Sequence, residues 1–162
     1  MAAELPELSV ADAAAWRAWL AEHHQEPSGV WLVLAKKGIT EPTALSYDHA
    51  LDEALCYGWI DGQAKRRDET TYRQRFTPRR TRSGWSKRNV GIVERLLRAG
   101  RMHPAGLAAV ELAKADGRWQ AAYAGQAGIQ VPPDLAAALA AEPKAQAMFE
   151  LLTSQNRYAI LY

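Results

Sequence analysis

Cysteine is almost missing from this chain: Cys56 is the only one in 162 residues. No internal disulfide can form, and nothing points to an oxidising compartment. Long apolar runs are missing too. The longest strongly apolar run, Val30 to Ala35, has six residues, against roughly 20 for a membrane-spanning helix. The opening Met1-Ala2-Ala3-Glu4-Leu5-Pro6 lacks the basic-then-apolar layout of a signal peptide, so a soluble, cytoplasmic protein without membrane contact is expected. Metal-ligand spacing is also lacking. His23 and His24 are adjacent and cannot share a helical face, His49 and His103 stand alone, and there is no second cysteine. No serine sits in a nucleophile-elbow sequence, and neither a phosphate loop nor a dinucleotide fingerprint occurs. No metal and no cofactor are expected.

What is present describes an ordinary globular chain. Hydrophobic residues make up 48% and charged residues 23%, close to the averages for folded domains. A chain of this length hides roughly 70% of its unfolded surface, enough for a real core. We expect a single domain over residues 1–162, with a mixed α/β half (1–82) and a helical half (83–162).

The net charge of +2 conceals a sharp asymmetry. Between Lys65 and Arg88, ten basic residues face only Asp68 and Glu69, a local +8; the remaining ten basic and sixteen acidic residues leave −6 elsewhere. Such a concentration of one sign attracts anions.

Along the chain, Ser9 to Asp12 reads as a capping box opening a helix to about His24, with Trp16, Trp19 and Leu20 on one face. Residues 30–36, apolar on both alternating faces, read as a central strand covered on both sides. Ser46 caps a helix whose apolar spacing runs through Tyr47, Ala50, Leu51, Ala54 and Leu55, with Asp48, Asp52 and Glu53 in its early turns and Gly58 as its stop. Trp59 to Gly62 reads as a turn-like bridge, and 63–67 and 72–77 as a hairpin around residues 68–71. In its second strand Tyr72, Gln74 and Phe76 share one face, Arg73 and Arg75 the other. After Pro78 comes a basic loop. Ser86 caps a helix to about Ala99, with Val90, Val93 and Leu97 on its core side. Pro104, Pro132-Pro133-Asp134 and Pro143 each open a further helix, and Thr153 or Ser154 opens the last. Residues 119–131, with Gly125 and Gly128, read as the loop between the halves. The fold class is therefore α+β: a three-stranded, largely antiparallel sheet packed by helices, followed by a helical C-terminal half.

Three readings compete for the arginines. They form a solvated basic face paired with the acidic remainder, or a pocket for a small anionic or aromatic ligand, or a nucleic-acid surface built from basic residues interleaved with aromatics. Trp16, Trp19, Trp31 and Trp119 are assigned to the core, whereas Trp59 and Trp85, beside turns and basic residues, could face a site. Asp61 before Gly62 is a turn former or a carboxylate held beside the arginines. Cys56, near a helix C-terminus, reads as a small buried hydrophobe.

Several segments together resemble the bacterial YdeI/OmpD-associated family: residues 29–37, Leu55 to Gln63, Arg75 to Arg79, Trp85-Ser86, Gly100 to Gly106, Val131 to Leu135 and Ser154 to Tyr158. The resemblance extends over nearly the whole chain and implies a small cytosolic α+β protein of the bacteriocin-protection or stress-tolerance type, with no reaction attached. The expected function is a non-enzymatic protective protein binding an anionic or aromatic small molecule through Trp59, Asp61, Arg73, Arg75, Arg79 and Trp85. The alternative is nucleic-acid association through residues 65–88. An enzyme using Asp61 or His103 as acid or base is the third possibility, and oligomeric state is left open.

Overall fold

The computed structural model describes residues 4–122 and 130–161. Its elements follow in the order β1 (Glu7–Leu8), α1 (Ala13–His23), β2 (Val30–Ala35), α2 (Tyr47–Cys56), β3 (Trp59–Arg66), β4 (Thr71–Pro78), α3 (Lys87–Arg98), α4 (Pro104–Ala115), α5 (Pro133–Ala140), α6 (Pro143–Leu151) and α7 (Ser154–Leu161). The sheet order is β1-β2-β4-β3. The β2–β4 and β4–β3 pairs are antiparallel, and β1 adds a short parallel edge.

The architecture is the expected α+β one, with a small mixed sheet, largely antiparallel, and a helical C-terminal half. Two details differ. A fourth strand exists, because Glu7 and Leu8 pair with Trp31 and Leu32; two residues are too few to show alternation. The bridge at Trp59 to Gly62 is strand, and its irregularity is a register shift between Asp61 and Ala64. A bulge of this kind puts glycine and polar residues inside a strand, where they read as a turn.

Helix starts follow their capping chemistry. Ser46 and Ser86 accept the amides of His49 and Asn89, as expected from N-cap serines. The first helix starts later than the sequence suggests: Asp12 is itself the cap, accepting the Ala15 amide at 2.9 Å, so Ser9 lies outside. In α3 the inward residue is Leu96, fully buried, while Leu97 is exposed. Residues 123–129, in the expected connecting loop, lie outside the described residues.

All six residues of β2 are buried. Val30, Leu32 and Leu34 join Trp16, Leu20, Leu51, Leu55, Trp59 and Phe76 in the core beneath the helices. Trp31 lies on the opposite face, under the Lys65 ammonium at 4.7 Å and the Arg73 guanidinium at 5.2 Å from its ring centroid. Glu53, expected in an early turn of α2, is buried: its carboxylate accepts from Arg17 at 2.7 Å and from Arg101. This triad ties α1 and α2 to the link before α4. Among the described residues, no helix is long and apolar enough to cross a membrane.

Candidate functional site

The recess begins where α2 ends. Gly58, at φ +76°, turns the chain from α2 into β3, and its carbonyl accepts the Arg79 amide at 2.9 Å just past the end of β4. The basic loop is thereby anchored beside α4. Arg79 Nη1 donates to the Gly84 carbonyl at 3.2 Å, and Arg118 Nη1 donates to the Ser83 carbonyl at 2.7 Å. The Arg79 guanidinium lies over the ring of Trp85, 3.6 Å from its centroid, a face-on contact available to a planar cation. Arg118 also donates to Asp116. Although desolvation pushes the Asp116 carboxyl upward, the hydrogen bonds and charge of Arg118 hold it below its ordinary value.

Between this loop and α4 is a recess of about 240 Å³. Tyr57, Gly58, Arg79, Arg80, Thr81, Trp85 and Arg118 form its walls, and Ala105, Ala108, Ala109 and Leu112 its apolar floor. Its size lies just under the range typical of drug-sized ligands, roughly 300–1,000 Å³. Three arginines over an apolar floor can hold a compact molecule with an anionic head: guanidinium forks supply charge-assisted hydrogen bonds, and the alanines admit a ring or short chain. A larger, more open hollow of about 500 Å³ borders Lys36, Lys37, Tyr47 and Tyr72, but no arginines converge there.

Two of the six residues expected from sequence, Arg79 and Trp85, border the recess. Arg73 and Arg75 lie on the outer sheet face, opposite Val33 and Trp31 in register. Distance along the strand separates them: Arg73 is six residues of extended chain from Arg79, roughly 20 Å. Trp59 is fully buried, packs edge-on against Trp16 and Trp19, and donates its indole N–H to the His24 carbonyl at 2.9 Å. It is not available to stack on a ligand. Asp61 accepts the Tyr47 hydroxyl at 2.7 Å, with Arg88 beside that ring. Burial, then this bond, pushes the Tyr47 phenol up to about 12. The basic segment therefore does not gather around one cavity. Arg67 pairs with Glu7 and Asp68, Arg73 with Glu4 and Glu7, and Arg88 with Asp48.

Sequence reasoning missed Tyr57 and Arg118. Arg118 lies thirty residues beyond the basic segment, and nothing in its local pattern announces a return to the 79–84 loop. Tyr57 reads as a helix end. The other expected candidates hold structural positions. His103 caps α4, its Nδ1 accepting the Ala105 amide at 3.1 Å. Burial pushes the Cys56 thiol upward, against the opposing effect of Arg17. Among the described residues, no group of three or more His, Cys, Asp or Glu side chains could hold a metal ion.

Two family models match. One, described as "Bacteriocin-protection, YdeI or OmpD-Associated", covers residues 129–162. The resemblance expected over nearly the whole chain is thus shown for the C-terminal part alone, which includes Val131 to Leu135 and Ser154 to Tyr158. No curated protein and no solved structure matches the chain. The second model, described as a domain of unknown function (DUF8412), covers residues 8–109, which contain β2 to β4, α1 to α3 and the first half of α4. Since that match spans more than half of the sequence, the chain belongs to the DUF8412 family.

Proposed function

We propose that this chain is a cytoplasmic, non-enzymatic binding protein that takes a small molecule with an anionic head and a compact aromatic or aliphatic body into the recess beside α4. The observation that carries the reading is the convergence of Arg79, Arg80 and Arg118 on one cavity floored by Ala105, Ala108, Ala109 and Leu112. A positive rim above an apolar floor discriminates on both counts: charge alone lacks the burial contribution, and a neutral ring lacks the guanidinium hydrogen bonds. Sequestration of such a molecule also suits a protective role, the type named by the description of the model matching residues 129–162.

The nucleic-acid alternative has less support. It needs an accessible aromatic among free cations, whereas Trp31 is covered by Lys65 and Arg73, and Arg67 and Arg73 pair with carboxylates.

Calorimetric titration with benzoate, sulfate and benzyl alcohol separates these readings. Benzoate is expected to bind more tightly than either of the others, with a shallow salt dependence. Equal affinity for sulfate and benzoate would remove the apolar floor from the account. Binding of an oligonucleotide with a steep linear fall of log affinity with log salt would favour the alternative.

A further inference from the structure

We propose that the recess is gated by His103: the neutral imidazole holds α4 in the binding shape, and the imidazolium releases it. The proposal rests on reading the recess as a binding site.

His103 is the N-cap of α4, with extended backbone at φ −80° and ψ 152°. Its Nδ1 accepts the Ala105 N–H at 3.1 Å. A neutral imidazole has one bare ring nitrogen, and the cap uses it, so the ring proton sits on Nε2. Protonation would put an N–H where the cap needs an acceptor, leaving two donors facing each other. It would also place positive charge at the positive end of the helix dipole.

The surroundings offer the imidazolium little relief. Just past the end of α1, His24 meets the His103 ring edge-on at 4.9 Å, and Arg17 of α1 lies 5.4 Å from the centroid of Tyr57. From the end of α2, Tyr57 stacks on His103 at 4.5 Å and 22°. In the link before α4, Arg101 shares with Arg17 the single carboxylate of Glu53. Burial, His24 and Arg17 all hold His103 below its ordinary value.

The cap is mechanically joined to the recess. The His103 amide donates to the Cys56 carbonyl at 3.0 Å. Gly106 brings α4 so close that a Cβ there would lie 2.2 Å from the same carbonyl. The first turn of α4 thus rests directly on the end of α2. That turn supplies Ala105 to the recess, and the next supplies Ala108 and Ala109. Tyr57 touches both sites, stacking on His103 while walling the cavity. The sign follows from the lowered folded-state value. The stabilising contribution of neutral His103 is complete above 6.5, the ordinary value, and declines as pH falls below it.

The test measures benzoate affinity at about pH 7.5 and about pH 5.5, within the range where histidine charges and benzoate stays ionised. It is run on the full chain and on His103→Asn, alongside hydrogen-exchange protection of the Ala105 and Leu107 amides without ligand. In the unmodified chain, acidification should weaken benzoate by about fivefold or more and lower the protection of both amides. His103→Asn keeps an N-cap acceptor but cannot titrate, and should show neither change. An affinity and protection indifferent to pH, or a variant with the original pH response, would overturn the proposal. If benzoate binds at neither pH, the binding reading falls, and the amides alone decide the switch: protection lost on acidification only when His103 is present supports it, and unchanged protection overturns it.

Discussion

The two ends of this molecule are built differently. From β1 to α4, helices and sheet share a core in which Trp16, Trp59, Phe76, Leu20, Leu51 and Leu96 are fully or almost fully buried. From α5 to α7 no described residue is buried, and Met148, Leu151 and Ile160 are largely exposed. Helix-forming sequence is common to both, and the short C-terminal helices have their proline starts and a hydroxyl cap at Thr153. What differs is partnership: helices this short draw most of their stability from packing. The recess belongs to the packed part, and its rim is held by Arg118 reaching back from beyond α4.

Substitutions can break this contrast or sharpen it. The largest expected effect is Gly106→Ala. The new Cβ would lie 2.2 Å from backbone oxygen that cannot yield, so α4 must move, at about 3 kcal/mol or more; chemical denaturation measures it. Next comes Glu53→Ala, which leaves Arg17 and Arg101 without their shared carboxylate. A loss of about 3 kcal/mol is expected, at the low end for a broken buried pair because both arginines are about one-third exposed or more. Arg80→Ala should weaken benzoate about tenfold, some 1.4 kcal/mol, with Tm unchanged, since its side chain is exposed on the rim. Smallest is Leu151→Ala, within about 0.5 kcal/mol of the parent. A large loss at Leu151 would erase the contrast between the two ends.

Much of the fold was legible because it rests on local signals. Ser46, Ser86, Pro104, Pro133 and Pro143 mark helix starts through capping and ring chemistry that acts within one turn, and β2 announces its burial by being apolar at every position. The failures are long-range. Whether Leu96 or Leu97 faces inward depends on what packs against α3, and Glu53 reads as an early-turn acid until Arg17 and Arg101 arrive from elsewhere in the chain. For the candidate site, the charge run includes the loop whose Arg79 and Trp85 border the recess. It also drew in Arg73 and Arg75, because proximity in sequence was taken for proximity in space. Trp59 was drawn in by its polar neighbours, whose side chains leave its ring to the core. Tyr57, Arg118 and the alanine floor could not be read, because a cavity wall assembled from α2, α4 and a loop leaves no pattern in any one segment.

What enters the recess is the most direct test of its role. Crystals soaked with para-bromobenzoate and measured at the bromine absorption edge locate the molecule independently of any activity. An anomalous peak is expected over Ala108 and Leu112, with the carboxylate turned toward Arg80 and Arg118. A peak confined to the outer sheet face beside Lys65 and Arg75, with the recess empty, would contradict it.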